Sequence, residues 1–204
     1  MNDVSILTKP VDELVQILTG GGVILYPTDT LVGVGCRADH DGAVKRIFDI
    51  KKRPFNQPLP VLVASKARVK EVVAEIPAEA EALMDRFWPG ALTILLRAEG
   101  NATSMLLRAG GPNIGIRQPN HALLLQLLEQ CPFPIIGTSA NVHKKKPAAE
   151  INKVDPFILA HIDGLLEGAG GCGVESTVVD CTVTPFTVVR KGAIDVESIR
   201  PYLY

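Results

Sequence analysis

Apolar positions recur along this chain with helical and strand periods in turn. Val11, Leu14, Val15 and Leu18 share one face of a helix predicted over 10–19, opened by Pro10 and stopped by Gly20, Gly21 and Gly22. A continuous apolar run over 23–26 predicts a buried strand ending at Pro27, resumed over 31–36 with glycines where side chains would otherwise stand. Asp39 or Asp41 can cap a helix running through Ile50, with Val44, Ile47 and Phe48 inward. A strand over 59–64 follows, then a short helix capped by Ser65, and a second helix over 78–87 with Leu83, Met84 and Phe87 on its stripe.

Trp88-Pro89-Gly90 turns the chain into a strand over 91–96, whose lone polar residue, Thr93, reads as inert. After a loose connection over 98–112 come a strand over 113–117, an apolar helix over 122–130 and a buried strand over 134–138. Segments 148–154 and 157–161 suggest a helix broken near Pro156, followed by strands over 175–181 and 186–190 and a terminal helix capped by Asp195. Strands alternating with helices over the whole length predict an α/β class: a single domain, residues 1–204, built around a twisted sheet.

Composition narrows the functional classes. The 204 residues, 47% of them hydrophobic, can fill a substantial core, so disorder is not expected. Lys plus Arg number 21 against 22 Asp plus Glu, so no global basic field exists to capture nucleic acid, and a small-molecule site is favoured. Cys36, Cys131, Cys172 and Cys181 are scattered without a Cys-x-x-Cys and read as reduced thiols. The Met1–Ser5 start carries an early acid, and no apolar run of transmembrane length occurs, so no membrane is expected and the default is a cytoplasmic protein.

Candidate chemistry gathers at element ends. Lys51, Lys52 and Arg53 leave a helix and run into Pro54, with Pro58 and Pro60 stiffening the loop. Such a loop can aim cations at an anion, or can merely complement the helix macrodipole. If extended there, Lys52 points away from its neighbours. Pro27-Thr28-Asp29-Thr30 sets two hydroxyls and a carboxylate between buried strands, which suits either a cleft or an ordinary turn. Arg117, at a strand end, can clamp a carboxylate or form a surface ion pair. Ser139 and Asn141 are two apart and, on extended chain, present a hydroxyl and an amide to one ligand. His143-Lys144-Lys145-Lys146 is a basic loop. The Gly-rich 168–173 segment leads into a strand instead of a helix, so it is no dinucleotide fingerprint and reads as a flexible, lid-like loop. No Walker A sequence is present.

Taken together, Tyr26-Pro27-Thr28-Asp29-Thr30, Lys51-Lys52-Arg53-Pro54, Trp88-Pro89-Gly90-Ala91-Leu92-Thr93, Gly115-Ile116-Arg117-Gln118-Pro119, Ser139-Ala140-Asn141, Glu175-Ser176-Thr177-Val178-Val179-Asp180 and Val189-Arg190-Lys191-Gly192 closely resemble the YrdC/Sua5 family, in unbroken order. The resemblance implies a twisted mixed sheet with helices packed around it and an open cleft. It also implies a threonylcarbamoyl-AMP synthase, a nucleotidyltransferase joining ATP, L-threonine and bicarbonate into L-threonylcarbamoyladenylate and pyrophosphate for N6-threonylcarbamoyladenosine modification of tRNA. Mg²⁺ would accompany ATP, no protein-held metal is implied, and downstream tRNA-modification proteins could be transient partners.

By the same resemblance, Lys51 and Arg53 would be catalytic and, with Phe55, Ser139, Asn141 and Arg190, would bind ATP. Thr28, Arg117, Gly137 and Ser176 would hold threonine, with Arg117 on its carboxylate. The sequence departs from the family at Val32, where Tyr is usual, at Ala91 and Lys191, where Pro is frequent, and at His143–Lys146, which replaces a Ser-Gly segment. Ending at Tyr204 without the linker and extra domain of the Sua5 branch, the chain reads as the short form. The competing readings are an RNA-binding module, suggested by the two lysine clusters, and an inactive paralogue.

Overall fold

Ten short strands divide between two sheets in the computed structural model, which describes residues 7–100 and 102–203; the Met1–Ser5 segment lies outside them. The strands are β1 (Ile24–Tyr26), β2 (Gly33–Gly35), β3 (Val61–Leu62), β4 (Leu92–Arg97), β5 (Asn113–Arg117), β6 (Ile135–Ile136), β7 (Thr138–Ser139), β8 (Gly164–Leu165), β9 (Thr177–Asp180) and β10 (Thr187–Arg190). A four-stranded sheet has the order β7-β2-β1-β8 and a six-stranded one the order β10-β9-β4-β5-β3-β6. Both are mixed: β1 runs antiparallel to β2 and parallel to β8, and β4 runs antiparallel to β5 and parallel to β9. The expected mixed α/β architecture is present, with its strands split between two sheets.

Gly137 is where the chain changes sheet. The apolar run that reads as one strand over 134–138 pairs first with β3, as β6, and then with β2, as β7. A Cβ at Gly137 would stand 2.6 Å from Leu62 Cδ2, so any larger residue there would push the two segments apart. Tyr26 ties the sheets together from the other side: fully buried in β1, its hydroxyl donates to the Ile136 carbonyl in β6 at 2.5 Å.

The helices α1 (Val11–Thr19), α2 (Asp41–Lys51), α3 (Ala78–Phe87) and α4 (Ala122–Gln130) fall on the predicted stretches. Leu14 and Leu18 of α1 meet Leu124, Leu127 and Leu128 of α4 in one core cluster, each fully buried leucine contributing about 1.5–3 kcal/mol. The cap of α2 differs from expectation. His40, not Asp39 or Asp41, accepts the Ala43 amide on Nδ1, because Asp39 is already bound by the Arg37 guanidinium. Segment 66–71 is a 3₁₀ turn without a side-chain cap from Ser65, and Pro156 opens the short helix α5 (Pro156–Leu159) instead of breaking one, with Asp155 as its cap. The terminal helix α6 (Val196–Ile199) is capped by Asp195.

Two segments expected to be loose are pinned down. In the 98–112 connection, Ser104 donates its amide to the Ala38 carbonyl at 2.8 Å, and the Leu107 carbonyl accepts from Leu59 at 2.9 Å. The Gly-rich loop lies on Asp29 and Thr30 through amides of Cys172 and Gly173. A Cβ on Gly171 would come within 2.3 Å of the Asp29 backbone, so the glycine permits this contact and the loop is a packed cover, not a free lid. Of the cysteines, Cys36, Cys131 and Cys181 are buried free thiols and Cys172 is exposed.

Candidate active site

A cavity of about 490 Å³ takes its walls from both sheets. At one end Arg117, the last residue of β5, is 7% exposed. Its Nε donates to the Gly90 carbonyl at 2.9 Å, its Nη1 to Thr30 Oγ1 at 2.8 Å and its Nη2 to Asp29 Oδ1 at 2.5 Å. Burial works against the guanidinium charge and Asp29 supports it. Thr28 Oγ1 accepts amides from Thr30 and Leu31, which makes the Pro27–Thr30 segment a rigid turn beside Arg117. Both readings of that segment hold together, since the turn is what presents the hydroxyls to the cavity.

Farther along, Arg190 at the end of β10 donates from Nη2 to Ser176 Oγ at 2.9 Å and from Nε to the Ser176 carbonyl at 3.0 Å. Its Nη1 lies 3.2 Å from Glu175 Oε2. Thr93 Oγ1 completes this group at 2.8 Å from Ser176 Oγ, so the strand threonine that reads as inert is part of the cavity wall. Arg53 faces the same space, braced by the Gln57 and Pro58 carbonyls at 3.2 and 3.1 Å. Four arginines, at positions 53, 108, 117 and 190, line the cavity against a single lining carboxylate, Glu175.

Lys51 and Arg53 part company. Lys51 is the last residue of α2, 2% exposed, and its Nζ runs back beneath the Ser139-Ala140-Asn141 segment instead of reaching the cavity. It donates to the Ser139 carbonyl, to the Asn141 carbonyl at 3.0 Å and to Asn141 Oδ1 at 3.4 Å, while its own carbonyl accepts from His143. Ser139 Oγ donates to Asn141 Oδ1 at 2.6 Å and Asn141 Nδ2 binds the Lys145 carbonyl at 2.6 Å. The chain here is a tight turn, not extended, since the Asn141 amide returns to the Ser139 carbonyl. Ser139 and Gly137 therefore line the cavity, whereas Lys51 and Asn141 form the knot behind them.

Lys52 does point away, but as a left-handed helix cap (φ 50°) with its Nζ 4.7 Å from the Phe157 ring centroid. Phe55 is 43% exposed, stacked on Phe48 at 4.9 Å and outside the cavity wall. In the basic loop Lys145 is paired with Asp155 at 3.0 Å, a carboxylate that also feels the Lys52 charge, while Lys51 is buried away from that surface.

Burial, reinforced by the Arg53 charge and opposed by Glu175, pushes the Lys51 ammonium down to about 7 from 10.5. Between those values the unfolded chain binds the proton more readily, so the stability owed to this group is lowest below pH about 7 and rises toward 10.5. Relative to a Lys51→Met variant, the native chain is expected to gain on the order of 2–4 kcal/mol from pH about 6.5 to pH about 10, read by urea unfolding. A difference that stays flat across that range contradicts the buried ammonium.

An α/β protein with a cleft between its sheets, guanidinium groups distributed along the wall and hydroxyls between them offers the groups that an extended, anionic small molecule would need. A sequence profile for the Sua5, YciO and YrdC proteins, described as telomere recombination, matches residues 16–192, and the chain belongs to this family. It is 36% identical over 185 residues to a threonylcarbamoyl-AMP synthase of Bacillus subtilis, covering 90% of this chain and 54% of that protein. The crystal structure of Pyrococcus abyssi Sua5 complexed with L-threonine superposes with a TM-score of 0.90 at 33% identity, over 95% of this chain and 57% of that one. Escherichia coli YciO does so with a TM-score of 0.84 at 25% identity, over 95% and 92%. The chain thus spans about half the length of the Bacillus and Pyrococcus proteins.

Proposed function

We propose that this chain is an L-threonylcarbamoyladenylate synthase acting on ATP, L-threonine and bicarbonate. The observation that carries the reading is one cavity with Arg117, Thr28 and Thr30 at one end and Arg53 and Arg190 farther along it. An amino acid carboxylate fits the fork of Arg117, and phosphates fit Arg53 and Arg190. The names of the Bacillus and Pyrococcus relatives, and the threonine bound to Pyrococcus Sua5, support the same substrates.

In the proposed chemistry the threonine amine adds to the carbon of bicarbonate with loss of water, giving a carbamate. A carbamate oxygen then forms a bond to the α-phosphorus of ATP as the bond to pyrophosphate breaks. The nucleophile is already an anion, so no side chain need take a proton in the second step. Arg53 and Arg190 hold fixed positive charge where negative charge collects on the phosphates, and losing one such donor typically costs about 3 kcal/mol in barrier. Thr28, Thr30 and Ser176 orient the threonine part through hydroxyls that are already hydrogen-bonded and need little reordering. Lys51 acts at one remove, by fixing Ser139.

Mg²⁺ fits as the companion of ATP. Among the described residues no three His, Cys, Asp or Glu side chains gather to hold an ion, and Glu175 is engaged by Arg190, so the phosphates themselves would be its ligands. Bound there it would neutralise phosphate charge. The product would serve N6-threonylcarbamoyladenosine formation on tRNA, handed to downstream modification proteins in the cytoplasm. Among the described residues no helix is long and apolar enough to cross a membrane. The test is the substrate requirement of pyrophosphate release: it is expected only with Mg-ATP, bicarbonate and threonine together. Release that ignores threonine, or salt-steep RNA binding without turnover, contradicts the reading.

A further inference from the structure

Arg108 stands in the turn over 104–111, which sequence alone reads as slack. It is 7% exposed and lines the cavity. Its Nη2 donates to the Gly100 carbonyl at 3.2 Å and touches Met105 Sδ. Among the described residues it has no carboxylate partner, Nη1 has no acceptor, and Nε is buried with no hydrogen-bond partner at all. The other cavity arginines are answered by the protein: Arg117 by Asp29, Arg190 by Glu175 and Arg53 by two carbonyls. A desolvated guanidinium left with donors to spare is costly unless something else completes it.

The surroundings say what that could be. The turn is stitched to the 58–60 segment by the Leu59 to Leu107 hydrogen bond, so Arg108 and Arg53 flank the same end of the cavity. Between them the walls are Pro58, Pro60, Leu95 and Pro112, with Gly115 packed closely between Pro60 and Leu95. A polyphosphate in such a slot would lay its charge against apolar walls. A flat heterocycle covers the apolar walls with its faces and turns a polar edge toward the guanidinium.

We infer that Arg108 recognises the nucleobase of the nucleotide, donating to an acceptor nitrogen on the edge of the adenine ring. The inference rests on the reading of this cleft as an ATP site and adds a specificity residue to it. Hydrogen bonds to a charged group contribute about 1.5–3 kcal/mol, so losing this one weakens ATP by about 10- to 100-fold.

The experiment is calorimetric binding to the full chain of ATP, of 1-, 3- and 7-deaza-ATP, and of tripolyphosphate, which has no base. The native chain should bind at least one deaza analogue about 10-fold more weakly than ATP. Arg108→Met should lose that discrimination, weaken for ATP and keep tripolyphosphate within about twofold, with Arg108→Lys standing in if Arg108→Met does not fold. Native binding that treats all deaza analogues like ATP overturns the inference, as does a variant that weakens ATP and tripolyphosphate alike. If the native chain binds no ATP at all, the reading of the cleft fails first.

Discussion

Replacing Arg117 with alanine is expected to lower threonine-dependent pyrophosphate release by about 100- to 1000-fold while ATP binding survives. Among the described residues the guanidinium is the cation at the Thr28–Thr30 end of the cavity, and its three engaged nitrogens hold it in one orientation. Truncation removes the carboxylate clamp and leaves Asp29, whose side chain is only 17% exposed, without its partner. The fold should therefore also lose about 3 kcal/mol. Arg117→Lys separates the two effects. It keeps a charge for Asp29 and so most of the stability, but lacks the planar fork, and turnover should still fall by at least about tenfold. Initial rates against threonine, set beside ATP titrations and thermal melts, decide the matter. A folded Arg117→Ala protein with an unchanged KM for threonine would remove the amino acid from this end of the cleft.

Lys51→Ala is the second large loss, expected at about 100-fold in turnover, by a different route. Lys51 is not itself part of the cavity wall; its ammonium holds two carbonyls and an amide oxygen of the segment that carries Ser139. Its removal leaves the Asn141 carbonyl without its donor, at about 1–3 kcal/mol, and the Ser139 carbonyl and Asn141 Oδ1 with one donor fewer, but also relieves a buried charge. Because the two terms oppose each other, the melting temperature should move little while catalysis falls. Lys52→Ala, one residue on and outside the cavity, should change turnover by less than about twofold. Equal losses at both positions would mean that general helix-end charge, not the clamp, is what matters.

These expectations depend on features that the linear pattern carries unequally. Helix α3, strand β5 and helix α4 were legible to their end residues because their apolar periods are regular and their ends are marked. The two-sheet division was not, since 134–138 reads as one strand and its change of partners at Gly137, close against Leu62, leaves no mark in the pattern. The strand-end polar groups that line the cavity could be picked out one by one. Their partners could not: Arg117 and Asp29 lie 88 positions apart, and a pair of that kind leaves no local trace.

Lys51 illustrates a further limit. Its place at a helix exit was readable, but the left-handed turn at Lys52 separates Lys51, folded back on Ser139, from Arg53, which lines the cavity. Arg108 was hidden for the reverse reason. Its segment has no period, so it reads as slack, although hydrogen bonds to Ala38 and Leu59 hold it as firmly as an element.

The central claim is that one cleft joins a carbamate of threonine to the α-phosphate of ATP. Its most direct test is mass spectrometry of the product formed by the full chain from Mg-ATP, threonine and ¹³C-bicarbonate, quenched within seconds. The expected product is an AMP adduct containing threonine and one ¹³C atom, absent when any one substrate is withheld. An AMP–threonine adduct lacking the label, or release of pyrophosphate with AMP alone, would contradict it.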